Sequence, residues 1–436
     1  MIVVTGGRVE VSPVSGFSGI YEPPPDKSIS HRAAMLAALI EGRSLIKNFL
    51  YARDTLATLD CLRAVGVVYD EDRQNKRLTV ESGGFFAFKE PEQVLDARNS
   101  ATTMRLLAGL LSPLPHLHIF TGDKYLVRRP MRRIIEPLSL MGASIIARRG
   151  GYPPLAVHGG KLHGIEYRLR VASAQVKSAI IFAGLHAEGK TRIIEPVKTR
   201  DHTENMLNFT GISLLVDDEV IEVEPVEELK GDFFFEVPGD PSSAAFFVVA
   251  GLLAREGELK IKNVCLNPTR LGFVEVLNRA GAGIEVEYER KVSGEPVGTI
   301  TVKAGRKLEA LRVKPAEVPL LIDEIPILAI AASFAQGVSF FEGLAELKVK
   351  ESNRLEAVAQ NLKKMQVKVE VEGDNLRIYG GRQPRGAILE SFGDHRIAMA
   401  FTVAALFASG SSVILNPECV DVSYPSFFAD VSALLA

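Results

Sequence analysis

Carboxylates interleaved with cations recur in the second half of this 436-residue chain. Asp323 and Glu324 open the apolar stretch IDEIPILA, Lys350, Glu351 and Arg354 cluster in KVKESNRL, and Asp394, His395 and Arg396 open GDHRIAMA. Such sets suit proton transfer beside an anion, because cations hold the substrate while a tuned acid or base moves the proton. Ordinary pairs at helical spacing, such as Glu351 with Arg354, account for the same pattern. His395 alone reads equally as a core or surface histidine.

The first half carries cations among hydroxyls and amides. Lys27 and Arg32 flank Ser28; Arg105 follows Asn99, Ser100, Thr102 and Thr103; Lys177 follows Ser173 and Gln175. At a helix start, unsatisfied N–H groups and the positive end of the dipole favour an anion. Ser, Asp, Asn and Thr there also serve as simple caps. Caps do not account for the cations, which oppose the dipole, so their repeated placement points to a bound anion. Arg128, Arg129, Arg132 and Arg133 form a second cationic run before a helix, where Arg132 and Arg133 read equally as surface charge.

The elements that position these residues come in six copies. The openings DKSISHR, RNSATTMR, ASAQVKSA, GDPSSAA, IDEIPILA and GDHRIAMA recur at a spacing of about 70 residues, too long for a solenoid repeat. Each leads into an Ala/Leu-rich helix that breaks at a Gly before an Ile/Val-rich strand. Most copies then show a second helix and strand, as in LATLDCLRAVGVVYDE and LEAVAQNLKKMQVKVEVE. Each copy is predicted to be two helices on a small sheet. The sixth ends in YPSFFADVSALLA with no strand to close its sheet, and MIVVTGGRVEVSP stands at the start without helices. The N-terminal strands are therefore expected to complete the last copy. That gives one discontinuous domain, 1–20 plus 239–436, and a second, 21–238, with crossings near Tyr21 and Pro238. The segment GLHAEGKT, from Gly184, matches a phosphate-loop pattern, but a helix precedes it and a strand follows, the reverse of what that loop needs.

Composition bounds the function. Lys plus Arg minus Asp plus Glu is 51 − 53 = −2, which gives little support to nucleic-acid binding, so an anionic ligand must be met by local clusters. Cys61, Cys265 and Cys419 lack disulfide or metal-ligand spacing, which suits a reducing cytoplasm. The N-terminus alternates like a strand, so export is not expected, and no apolar run approaches the roughly 20 residues of a membrane span.

The motifs DKSISHRAAMLAAL, NSATTMRLLAGLL, RRPMRRIIEPL, SAQVKSAIIFAGL, RDHTENML, IDEIPILAIAA, KVKESNRLEAV and GDHRIAMAF, in this order, resemble the 5-enolpyruvylshikimate-3-phosphate (EPSP) synthase family of enolpyruvyl transferases across essentially the whole chain. The resemblance implies an α/β fold of two globular domains, each of three βαββαβ-like units around a pseudo-threefold axis, closing over a cleft. The implied reaction moves the enolpyruvyl group of phosphoenolpyruvate to the 5-hydroxyl of shikimate 3-phosphate, in the shikimate pathway of aromatic amino-acid biosynthesis, and releases phosphate. No metal or organic cofactor is implied. The implied partners are these two small molecules, with no nucleic acid or membrane, and the chain is expected to be a cytoplasmic monomer.

Carried over residue by residue, Lys27, Ser28, Arg32, Ser173, Gln175, Arg200, Asp323 and Lys350 bind shikimate 3-phosphate. Lys27, Asn99, Ala101, Arg129, Gln175, Arg354 and Arg396 line the phosphoenolpyruvate site. Asp323, Glu351 and Lys27 are the candidates for acid and base work, supported by Thr102, Arg105, Glu324, Asp394 and His395. Departures from the family pattern are Pro25 for Gly, Arg98 for Gly, Thr199 for Ser, Asn353 for Asp, and Val422 where some members carry Lys. Ala101 stands where glyphosate-sensitive members carry Gly beside the phosphoenolpyruvate pocket, so a glyphosate-tolerant enzyme is expected. A sister transferase acting on a UDP-linked amino sugar carries a reactive Cys in the loop occupied here by TGDKYLVRRP, which has none. A nucleic-acid end-binding protein is disfavoured by charge and by 7% aromatics, and a non-enzymatic anion-binding module would not need Asp323 and Glu351.

Overall fold

The structure, a computed structural model, describes residues 2–217, 219–227 and 229–435. All six polar openings are helix starts: Lys27–Leu39, Ala101–Leu111, Ala174–Gly184, Pro241–Leu253, Ile325–Phe334 and His395–Leu406. Local chemistry sets five of them. Side-chain oxygens of Asp26, Ser100, Ser173, Asp240 and Asp394 accept from backbone N–H groups of the first turn. The fifth helix begins after Glu324 without a side-chain cap and has Pro326 in its first turn, where a missing N–H costs nothing. Sequences such as PSSAAFFVVAGLL and IPILAIAASF are apolar on every face, so these helices are buried on every side. Second helices such as Arg132–Leu140, Gly272–Arg279 and Arg354–Lys364 each keep a polar face outward.

Each repeat has its own small sheet. In the fifth, Arg312–Val313 runs parallel to Val338–Phe341, which pairs antiparallel with Asn375–Tyr379, and that strand pairs antiparallel with Lys368–Glu372. Three sheets draw strands from distant parts of the chain. Phe234–Glu236 supplies the parallel edge beside Ile40–Lys47, and Gly19–Tyr21 does so beside Glu258–Cys265. The hairpin Ile2–Thr5 and Arg8–Val11 pairs antiparallel with Ser412–Leu415 in the last repeat.

The chain divides into two compact units. One holds the chain up to Pro24, Gly239–Arg290 and everything from Pro296 on; the other holds Pro25–Pro238 and Lys291–Glu295. The first crossing lies between Pro24 and Pro25, a few residues past the expected boundary at 20/21, so Tyr21, paired with Ile261, belongs to the unit that holds Glu258–Cys265. The turn Lys291–Glu295 is a further excursion that no sequence signal announced. Glu295 Oε1 lies 2.7 Å from His202 Nδ1, and both side chains are fully buried.

In the unit beginning at Pro25, the second and third opening helices meet closely. A Cβ on Gly109 would lie 2.2 Å from the carbonyl oxygen of Ala179, so only glycine allows this approach. Gly184 is the last residue of the third opening helix and Thr191 begins the strand after it, the helix-to-strand order expected for GLHAEGKT. Among the described residues no helix is long and apolar enough to cross a membrane.

Candidate active site

Each unit carries its own cluster. In the unit beginning at Pro25, Lys27 is the first residue of its helix, and its ammonium lies 2.9 Å from Asp54 Oδ2. Ser28 is partly exposed, and its carbonyl accepts from Arg32 Nη1 at 3.0 Å. Arg32 itself is buried, donating through Nε to Thr203 Oγ1 at 2.7 Å and through Nη2 to Ser178 Oγ at 2.8 Å.

At the second opening, Asn99 Nδ2 donates to Asp123 Oδ2 at 2.8 Å. The other oxygen of Asp123 accepts from the backbone N–H groups of Tyr125 and Leu126, shaping the turn that leads to the buried Arg129. Thr102 Oγ1 accepts from Gln175 Nε2 at 2.8 Å, and Gln175 Oε1 accepts from Arg105 Nη1 at 2.6 Å. This chain joins the second and third openings and sets the orientation of the Gln175 amide, oxygen toward Arg105 and nitrogen toward Thr102. Ala101 begins the second opening helix and is only 3% exposed. Arg98 holds φ at 50°, the left-handed region where glycine is at home, and its guanidinium reaches Asp60 Oδ2 at 2.5 Å. A non-glycine residue in that conformation carries local backbone strain. Ser173 caps the third opening helix, and Arg200 lies half-buried just before the helix His202–Phe209. Arg132 is exposed and Arg133 half-exposed at the start of the helix Arg132–Leu140.

Lys177 does not fit the idea that helix-start cations await an anion. Its side chain is buried, with Nζ 2.9 Å from Glu195 Oε2 and 2.7 Å from Glu204 Oε1. Burial works against the ammonium, but the two carboxylates outweigh it and hold the pKa above the usual range. Lys27 too has a protein carboxylate beside it, in Asp54. Both helix-start cations thus find their counter-charge within the protein.

In the other unit Arg354 is the hub. It is 1% exposed, donating from Nε to Asp394 Oδ2 at 2.8 Å, from Nη1 to Asp323 Oδ1 at 3.1 Å and from Nη2 to Glu351 Oε2 at 2.6 Å. Burial alone would favour the neutral guanidine, yet Asp394, Glu351 and Asp323 together hold its pKa well above the usual value. Lys350 Nζ lies 3.5 Å from Asp323 Oδ1, and Arg396 Nη1 donates to the Asp323 carbonyl at 3.2 Å. Asp394 also caps its own helix through Arg396 N–H and accepts from Ser352 Oγ at 3.1 Å. Lys350, Arg354 and Arg396 thus match Asp323, Glu351 and Asp394, cation for carboxylate. Glu324 is buried in an adjoining network, accepting from Ser242 Oγ, which in turn accepts from Arg270 Nη2 at 2.9 Å. His395 is buried in the first turn of the sixth opening helix.

Asn353 caps the helix Arg354–Lys364 by accepting from Glu356 N–H at 3.3 Å, a task that Asn and Asp perform alike. Val422 is buried, and its aliphatic side chain supplies no cation. Asp54, Asp123 and Glu195 escaped sequence reasoning. Their ion-pair and side-chain partners Lys27, Asn99 and Lys177 lie 18 to 27 residues away, at no spacing that marks them. Glu204 stood inside the RDHTENML motif but without a role.

This architecture is the enolpyruvyl transferase fold: the enolpyruvyl transferase NikO from Streptomyces tendae superposes with a TM-score of 0.78 over 99% of this chain and 98% of its own, at 17% identity. At that identity the likeness shows the fold alone. Residues 11–431 match the family EPSP synthase (3-phosphoshikimate 1-carboxyvinyltransferase), and the chain belongs to that family. It is 49% identical over 405 residues to the 3-phosphoshikimate 1-carboxyvinyltransferase of Syntrophomonas wolfei, covering 92% of this chain and 94% of the relative. The Aquifex aeolicus enzyme of the same name is 44% identical over 427 residues, 97% of this chain and 98% of the relative. The EPSP synthase of Acinetobacter baumannii superposes with a TM-score of 0.86 at 40% identity over 98% of both chains.

Proposed function

We propose the residue roles by which this chain performs the family's reaction, transfer of the enolpyruvyl group of phosphoenolpyruvate to shikimate 3-phosphate in the shikimate pathway. Lys27, Ser28, Arg32, Ser173, Gln175, Arg200, Asp323 and Lys350 bind shikimate 3-phosphate. Lys27, Asn99, Ala101, Arg129, Gln175, Arg354 and Arg396 bind phosphoenolpyruvate. The 5-hydroxyl attacks C2 of phosphoenolpyruvate, losing its proton to a base while C3 gains one from an acid. The adduct then loses a proton from C3 as phosphate departs. Asp323 and Glu351 do this work with Lys27.

The observation that carries this reading is the charge-balanced cluster around Arg354. With Asp323, Glu351 and Asp394 already matched by Lys350, Arg354 and Arg396, an arriving anion adds negative charge that favours proton uptake by one carboxylate. Substrate binding itself then arms the acid. A non-enzymatic anion binder gains nothing from such an arrangement. The enzyme is also proposed to be a cytoplasmic monomer without nucleic-acid partners, and to tolerate glyphosate because of Ala101. The deciding assay is phosphate release by the purified protein: release must require both shikimate 3-phosphate and phosphoenolpyruvate, and release from phosphoenolpyruvate alone would refute the reading.

A further inference from the structure

The buried Lys177 cannot itself reach a ligand, yet it stands at the centre of the segment that carries Arg200. Its two acids lie on either side of that arginine in sequence. Glu195 follows the strand Thr191–Ile194, and Glu204 lies on the helix His202–Phe209. The second oxygen of Glu195 accepts from the backbone N–H of Thr199 at 3.1 Å and from its hydroxyl. Thr199 is the residue immediately before Arg200. The next residue of the third opening helix repeats the grip: Ser178 Oγ lies 2.6 Å from Thr203 Oγ1 and 2.8 Å from Arg32 Nη2. Two consecutive helix residues, Lys177 and Ser178, therefore hold two consecutive residues, Thr203 and Glu204, and with them Arg32 and the approach to Arg200.

We infer that Lys177 is a positioning residue for shikimate 3-phosphate, acting through Glu195 and Thr199 to set the placement of Arg200. Stability by itself does not call for this arrangement, because a buried ammonium with two carboxylates is commonly no more stable than well-packed apolar side chains. What charges offer here is direction. One ammonium fixes the positions of two carboxylates, and one carboxylate fixes both donors of Thr199. The inference rests on the proposed role of Arg200 in binding shikimate 3-phosphate.

The test uses the full chain and steady-state kinetics with each substrate varied. Thr199→Val keeps the side-chain volume and removes the hydroxyl donor; it is expected to raise KM for shikimate 3-phosphate roughly tenfold, leaving KM for phosphoenolpyruvate within about twofold. Thr199→Ser is expected to restore the wild-type value. The triple variant Lys177→Met, Glu195→Gln, Glu204→Gln removes the charges together, so no buried ion is stranded; it is expected to remain folded while showing the same selective rise in KM. An unchanged KM for shikimate 3-phosphate in either variant, or an equal rise for both substrates, overturns the inference. Arg200→Gln separates the two layers. If it raises that KM while Thr199→Val does not, the positioning role alone falls; if it has no effect, the assigned role of Arg200 falls and the inference with it.

Discussion

Arg354 Nε donates to Asp394 Oδ2 at 2.8 Å across 40 residues of sequence, tying the second helix of the fifth repeat to the start of the sixth opening helix. The same guanidinium reaches Asp323 and Glu351, so one side chain places three carboxylates. Arg354→Met would strand them. Breaking a buried ion pair from one side typically costs about 3–5 kcal/mol. The variant is expected to lose that much stability in chemical denaturation and to release no phosphate. Arg354→Lys keeps the charge but lacks the planar fork, and is expected to remain folded with turnover strongly reduced.

Glu351 Oε2 accepts from the Arg354 guanidinium at 2.6 Å. Glu351→Gln preserves shape and one acceptor oxygen while removing the acid. Turnover is expected to fall by about 10² to 10⁴, the usual worth of a positioned proton-transfer group, with binding of both substrates retained. Calorimetric titration alongside kcat checks it. Near-normal kcat removes Glu351 from the chemistry.

Ala101 is buried at the first position of the second opening helix. Glyphosate is longer than phosphoenolpyruvate, so one extra methyl crowds the inhibitor more than the substrate. Overpacking by a methyl costs about 1–3 kcal/mol, or roughly 5-fold to 150-fold in affinity. Ala101→Gly is therefore expected to lower the glyphosate inhibition constant by that factor. If the glycine variant gains no sensitivity, the steric account fails and Ala101 only favours the helix.

Acid is expected to destabilise the unit that begins at Pro25. Burial holds His31 well below its usual pKa, and lowers both His118 and His186 to about 4; all three belong to this unit. The unfolded chain takes up protons near pH 6.5, whereas His118 and His186 in the folded unit resist until about pH 4. Their contribution to stability is thus complete above pH 6.5 and is lost progressively as pH falls toward 4, by about 1.4 kcal/mol per pH unit for each group. Denaturation curves between pH 7 and 4.5 are expected to show this slope, and His118→Phe to reduce it. A slope unaffected by that substitution refutes the assignment.

What could be read from sequence was what is local. The six openings, their caps and the helices they begin depend on residues within a turn or two, so DKSISHR, NSATTMR and GDHRIAMA announce both a helix start and a family. The acid and base candidates lie in such motifs, and Glu351 with Arg354 is an i,i+3 pair. Tertiary structure decided the rest, because a charge's partner is set by proximity in space. No spacing shows that Lys177 is neutralised by Glu195 and Glu204, that Lys27 rests against Asp54, or that Asp394 faces Arg354. Likewise, a strand of three residues such as Phe234–Glu236 has no pattern that names its neighbour, and only folding brings it beside Ile40–Lys47 to close the first repeat.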